Sequence, residues 1–178
     1  AVVLASGGFE ASREMRAKFV GENWRAAKVR GTPHNTGDGL RMAFSLRAKK
    51  YGVYDGCHAT PMDLNVPDFG GLDLPPIQRK LYRKICYFLG LMINIEGKRF
   101  VDEGENFRNY TYAQFGKKVI EQPKSQAWQI FDNKVIELLY DEYHFEKATF
   151  VEASTLNSLM EKTHGLDKKM ALQTIVDF

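Results

Sequence analysis

The strongest constraint on the fold is an apolar run, residues 89–95, that stops at Asn94-Ile95-Glu96-Gly97 and continues as Lys98-Arg99-Phe100-Val101-Asp102-Glu103. A glycine closing such a run accepts the positive φ of a tight turn, so the segment predicts a β-hairpin with Gly97 in the bend. The second arm leads into a charged loop and delivers Arg108. A hairpin of fixed length carries that arginine to a fixed place.

Residues 1–6 are almost wholly apolar and predict a short strand buried on both faces, broken by Gly7-Gly8. Ser12 is the expected cap of a helix over 13–20, which Gly21 closes. Thr36-Gly37-Asp38-Gly39 precedes an apolar-faced helix over 40–48, with Asp38 as its N-cap. Such a helix start turns free N–H groups and the positive end of the dipole toward whatever lies above. Residues 51–71 are rich in Gly, Pro, Asp and Asn and predict an irregular loop carrying His58.

Residues 78–88 read as helical, and 110–121 as a helix stopped by Pro123. A strand is expected over 127–131. Asp132 or Asn133 then caps a helix with Val135, Leu138, Leu139 and Tyr143 on one face, and Ser154 caps another that Gly165 ends. Strands and helices mix without βαβ alternation, which favours an α+β fold.

The 178 residues suit one domain, or a small domain plus part of another, and 44% apolar content is enough for a core. A net charge of +3 with both signs interspersed gives no polybasic face and no nucleic-acid partner. The most basic stretch, Arg79-Lys80-Leu81-Tyr82-Arg83-Lys84, reads as a solvated helix face. No apolar run approaches the ~18 residues of a membrane span. Cys57 and Cys86 make neither a disulfide framework nor a zinc site, so no metal is expected and the thiols suit a cytoplasmic protein. The chain opens without Met and closes inside the amphipathic stretch 168–178, which reads as a piece of a larger protein.

Five motifs stand in order: Ala-Ser-Gly-Gly-Phe at 5–9, Thr-Gly-Asp-Gly at 36–39, Cys-His-Ala-Thr-Pro at 57–61, the hairpin at 90–103, and Arg108. In this order they resemble the fumarate reductase and succinate dehydrogenase flavoprotein family. Within it, 29–35, 54–59 and Glu103-Gly104-Glu105 are most similar to the tricarballylate dehydrogenase subgroup. The resemblance implies FAD as cofactor, with residues 1–50 part of the FAD-binding domain and 51–178 the substrate-capping domain, truncated at its C-terminus. Gly7, Gly8 and Asp38 would lie near the flavin. The family's phosphate-cradling Gly-x-Gly-x-x-Gly is missing from the chain, so the remainder of the FAD-binding domain is an implied partner.

By the same resemblance His58, with Thr60, binds a substrate carboxylate, and Arg108 is the catalytic residue, exchanging a proton while the flavin exchanges a hydride. Arg99 is the alternative for that role. A guanidinium, with an unperturbed pKa above ~12, is a poor base without a relay. The upstream Glu that serves fumarate reductases has no counterpart in Tyr82-Arg83-Lys84-Ile85-Cys86, so either Asp102, Glu103 or Glu105 substitutes or the proton route differs. The implied substrate is a small polycarboxylate, tricarballylate giving cis-aconitate, with the flavin reoxidised by an unspecified electron acceptor. Fumarate, a urocanate-like acid or a steroid handled by the same family is the alternative, with the polar Cys57-His58-Ala59-Thr60 loop speaking against the apolar pocket a steroid needs. A capping module that is inert in isolation is a third reading.

Overall fold

A computed structural model describes residues 2–178. Two compact units are present. One comprises the chain up to Cys57 together with Pro67–Arg79, and the other His58–Val66 with Lys80–Phe178.

In the first unit, α1 (Arg13–Phe19) is capped by Ser12, whose Oγ accepts the Met15 N–H at 3.2 Å. After a 3-10 turn over Glu22–Ala26 comes α2 (Asp38–Ser45). The N-cap of α2 is Gly37 in the left-handed region (φ 82°), and Asp38 is the first helical residue rather than the cap. Arg16 organises the irregular part. Its guanidinium, 5% exposed, donates to the carbonyls of Trp24 (2.9 Å), Ala27 (2.8 Å), Arg25 (3.3 Å) and Glu10. Carbonyls outside any helix or sheet ladder need such a donor when buried. Burial pulls Arg16 down from the ordinary arginine value. The returning segment pairs Val29 with Phe69, and Arg13 meets Asp68 at 2.6 Å.

The strand expected at residues 1–6 is not formed. Ala1 lies outside the described residues, and 2–6 are irregular and exposed, Val2 at 90% and Val3 at 86%. A strand is held by its ladder partners, and among the described residues none pairs with this stretch.

The second unit is built on a two-stranded antiparallel sheet. Strand β1 (Leu91–Asn94) pairs with β2 (Ala127–Ile130), Leu91 opposite Ile130 and Asn94 opposite Ala127. All of β1 is buried because each face meets helices. On one side Met92 packs with Ile85, Tyr87 and with Phe115 of α3 (Arg108–Ile120). On the other Ile93 packs with Met160 of α4 (Leu156–Lys162) and with Leu166 and Ala171, the latter in α5 (Lys168–Asp177). Alternation of side chains along a strand assigns neighbours to opposite faces, which is why one short strand serves two clusters. Helices and one small sheet are mixed, in keeping with an α+β fold. Among the described residues no helix is long and apolar enough to cross a membrane.

Gly97 takes φ +77° in the predicted turn. It has a second reason to be glycine: a methyl there would lie 2.9 Å from the Asp167 carbonyl and nearer still to the Ala171 nitrogen, so α5 seats on the bend. The second arm, however, pairs with β1 only at Ile93 and Arg99.

Other expectations need correction. Residues 78–88 form 3-10 turns over Pro76–Tyr82 and Tyr87–Leu89 and no α-helix. The intervening backbone is taken by distant partners: Lys84 N–H by the Pro61 carbonyl (2.9 Å), Lys84 C=O by Gln129 (2.9 Å) and Cys86 N–H by the Tyr143 hydroxyl (2.9 Å). The helix after Asp132 is likewise 3-10, over Asn133–Leu138 and Asp141–Tyr143, with Leu138 largely exposed. Thr155, not Ser154, caps α4 in a reciprocal capping box with Ser158.

The basic stretch is not a solvated face. Arg83 meets the buried Glu142 at 2.7 Å, and Lys84 meets the fully buried Asp63 carboxylate at 3.3 Å while donating to the Glu142 carbonyl.

Candidate functional site

In the second unit Arg108 opens α3, and its half-buried guanidinium lies between two rings, 5.9 Å from the centroid of Tyr112 and 5.9 Å from that of Tyr140. Tyr112 is four residues on, the spacing that stacks side chains on one helix face. Its ring also meets His58 edge-to-face at 5.0 Å. The loop bearing His58 is bound to the same helix. Ala59 N–H donates to the Ala113 carbonyl (2.8 Å), and Gly116 N–H donates to the Ala59 carbonyl (3.0 Å). Gly116 permits this approach, since a methyl there would fall 2.6 Å from both the Ala59 oxygen and the Thr60 nitrogen. Helix α3 thus carries Arg108 and seats the backbone of the loop that bears His58 and Thr60.

Arg108 also lines an open groove of about 780 Å³ with Phe88, Phe107, Tyr110 and Tyr140, together with Gly104, Asn106 and Asn109. Four aromatic rings, two carboxamides and one cation therefore face this space, with no carboxylate among them. Beneath it, the Tyr87 hydroxyl is bonded to that of Thr111 at 2.6 Å, the Tyr87 ring stacks on Phe115 at 4.1 Å, and the Cys86 thiol accepts the Tyr140 N–H at 3.5 Å. Burial pushes both Tyr87 and Cys86 up from their ordinary values, with Arg108 pulling each back in part. Both are neutral at pH 7 and serve as donors or weak acceptors, not as bases.

Arg99 is committed elsewhere. Its guanidinium grips the buried Glu103 carboxylate at 2.6 and 2.9 Å and reaches Asp102 at 3.5 Å, with the Phe178 ring 4.9 Å away. The other Glu103 oxygen accepts the Met92 N–H at 2.5 Å, which ties the hairpin arm to β1. Asp102 also accepts the Gly104 N–H at 3.0 Å. Of the three acids considered for a relay, Glu105 alone is exposed and unpaired with Arg99, on the turn that enters α3. Sequence reasoning missed Tyr112, Tyr140 and Gly116. The i, i+4 spacing from Arg108 was the available signal for Tyr112, and nothing local pointed to Tyr140.

In the first unit the two glycine motifs lie side by side. Gly37 N–H donates to the Gly8 carbonyl at 3.0 Å, and a methyl on Gly39 would run into the Ser6 hydroxyl. Gly7 takes φ +78°, and Asn35 and Glu10, bonded to each other at 2.5 Å, crowd this turn. Asp38 accepts from the Thr36 hydroxyl at 3.0 Å and pairs with Arg41 on an exposed surface. An exposed pair of that kind holds its carboxylate weakly. Close-lying glycine turns at a helix start, with an accessible acid beside them, fit the hydroxyl and imide donors of a flavin nucleotide. Gly7, Gly8 and Asp38 are the residues that would hold it.

The model of the family described as FAD binding domain matches residues 1–171. Among curated relatives, a 3-oxosteroid 1-dehydrogenase of Mycolicibacterium smegmatis is 28% identical over 99% of this chain and 32% of its own length. A vinyl phenol reductase of Lactiplantibacillus plantarum is 29% identical over 82% of the chain and 28% of its length. A 4-oxocyclohexanecarboxylate 2-dehydrogenase of Sinomonas cyclohexanicum is 32% identical over 61% and 18%. Of solved structures, a 3-ketosteroid Δ1-dehydrogenase of Sterolibacterium denitrificans superposes with a TM-score of 0.66 at 23% identity, over 98% of this chain and 32% of that one. A flavocytochrome c3 fumarate reductase in an open conformation gives 0.62 at 24%, over 100% and 28%. The chain spans about a third or less of the length of these relatives. With a family model matching nearly its whole length, the chain belongs to the FAD binding domain family, and its cofactor is FAD.

Proposed function

We propose that the protein is an FAD-dependent oxidoreductase, with residues 1–50 part of its FAD-binding domain and 51–178 its substrate-capping domain. The observation that carries the reading is Arg108, which lines an open groove and shares the Tyr112 ring with His58. FAD, when bound, supplies the two-electron acceptor or donor for a hydride. The chain's own residues supply the rest. Arg108 handles the proton at the neighbouring carbon, and His58 with Thr60 holds an acidic or carbonyl oxygen of the substrate. In dehydrogenation one C–H bond is lost as hydride and the adjacent one as a proton, forming C=C. Reduction is the reverse, and an external acceptor or donor closes the cycle. A guanidinium presents two parallel N–H donors to a carboxylate or a developing enolate. By itself the chain is inactive in this reading.

The substrate has two readings. The motif resemblance points to tricarballylate, converted to cis-aconitate. The groove favours a second: rings of Phe88, Phe107, Tyr110 and Tyr140 surround a single cation, a lining better matched to a cyclic substrate with one oxygen function than to three carboxylates. The named substrates of the three curated relatives, a 3-oxosteroid, a vinyl phenol and a 4-oxocyclohexanecarboxylate, are ring compounds and support it. The test is dye-coupled turnover by the complete FAD-loaded protein. Turnover of 4-oxocyclohexanecarboxylate with tricarballylate inert decides for the ring reading. The opposite preference decides for the tricarboxylate, and turnover of neither class removes both.

A further inference from the structure

We propose that Tyr112 is a positioning residue that holds His58 and Arg108 in a fixed relation, an inference that rests on the roles proposed for those two. The two side chains arrive from distant parts of the sequence. Arg108 begins α3, and His58 stands on a loop joined to that helix by two backbone hydrogen bonds at Ala59. Those bonds fix the loop's backbone. The imidazole meets the Tyr112 ring at 5.0 Å, the two planes near perpendicular. The same phenol ring lies 5.9 Å from the Arg108 guanidinium carbon.

One rigid ring with two torsions therefore touches both groups. It orients an imidazole through the quadrupole preference of perpendicular rings and a guanidinium through the attraction of a cation for a π system. The contact with Tyr140, also at 5.9 Å, holds Arg108 from a second direction. Tyr112 is thus the shared element. Its ring carries the function, which makes phenylalanine the conservative replacement and leucine the disruptive one.

The experiment has two arms. In the complete FAD-loaded protein, the His58 ring protons are followed by NMR. The ring current of Tyr112 displaces their shifts, Tyr112→Leu abolishes that displacement, and Tyr112→Phe restores it. In the complete FAD-loaded protein, Tyr112→Leu lowers kcat/KM about tenfold, mostly through kcat, with FAD retained, as expected when reacting groups are held less well, and Tyr112→Phe rescues most of the loss. An unchanged His58 shift in Tyr112→Leu overturns the contact. A lost shift with unchanged kcat/KM overturns the positioning role. A drop that Tyr112→Phe shares in full assigns the effect to the hydroxyl and also overturns the proposal. Failure of the underlying reading shows elsewhere, as Arg108→Ala turning over at the wild-type rate.

Discussion

Asp63→Ala is expected to lower the stability of the second unit by about 3–5 kcal/mol, the usual cost of removing one partner of a buried ion pair. The Asp63 side chain is fully buried. It accepts the Asn65 N–H (2.9 Å), the Thr149 N–H (2.8 Å) and the Thr149 hydroxyl, and stands 3.3 Å from Lys84. Deleting it leaves Lys84 buried without its carboxylate, held by the Glu142 carbonyl and the rings of Tyr143 and Phe145, and leaves two backbone donors short of an acceptor. Burial is the largest influence on Lys84 and lowers it, with Asp63 and Glu142 pushing back. The pair is therefore costly to build and costlier to break.

The pH dependence follows. Burial alone would raise the Asp63 carboxyl, but the Thr149 hydroxyl and amide, the Asn65 amide and Lys84 outweigh it and hold it below the ordinary value. A carboxyl depressed on folding contributes stability that is fully present above the unfolded value near ~3.9 and is lost as pH falls through the folded one. Urea midpoints measured from pH 6 downward should thus decline below about pH 4 in the wild type. Asp63→Asn should start lower and lack that share of the decline. Equal midpoints for wild type and Asp63→Ala at pH 7 would contradict the account.

Gly116→Ala is expected to dislodge the His58 loop while leaving α3 helical. Alanine gains about 1 kcal/mol of helix propensity over glycine. Against this, the methyl meets backbone atoms of Ala59 and Thr60 at 2.6 Å or less, atoms that have no rotamer with which to escape. Overpacking of that kind costs about 1–3 kcal/mol. The cheaper relief is to lift the loop, forgoing two hydrogen bonds that contribute about 0.5–1.5 kcal/mol each. Net stability should change little and geometry much. The predicted readout is unaltered far-ultraviolet circular dichroism, displaced His58 NMR signals and a kcat/KM lower by roughly 10–100-fold, the scale on which misplaced groups act. A variant that is more stable and equally active would show that Ala59 is not seated on the helix.

The parts of the fold legible from sequence were those written locally. Gly97 announced the turn because a residue without a Cβ takes φ +77° at little cost, Ser12 announced α1, and the periodicity ended by Pro123 announced α3 within two residues. The failures share one cause, competition from residues far along the chain. Residues 78–88 have helical composition, yet Pro61, Gln129 and Tyr143 claim the backbone groups an α-helix would need. The stretch Arg79 to Lys84 looked solvated because its acids, Asp63 and Glu142, lie 21 residues before and 58 after Lys84. For the candidate site, the motif order drew attention to His58, Thr60 and Arg108. That one helix carries Arg108 and seats the loop of the other two was hidden in Gly116, a glycine inside a helix whose reason is the backbone of a loop 57 residues earlier.

The measurement that tests the central claim most directly is anaerobic bleaching of the oxidised-flavin band in the complete FAD-loaded protein, wild type beside Arg108→Ala. It reads the half-reaction alone and so needs no electron acceptor. The panel of 4-oxocyclohexanecarboxylate, tricarballylate and succinate serves as reductant. The account predicts that at least one compound bleaches the wild type and that the variant, with its FAD still bound, bleaches about 10²–10⁴-fold more slowly, the range for a positioned proton-transfer group. Equal rates in the two proteins would contradict it.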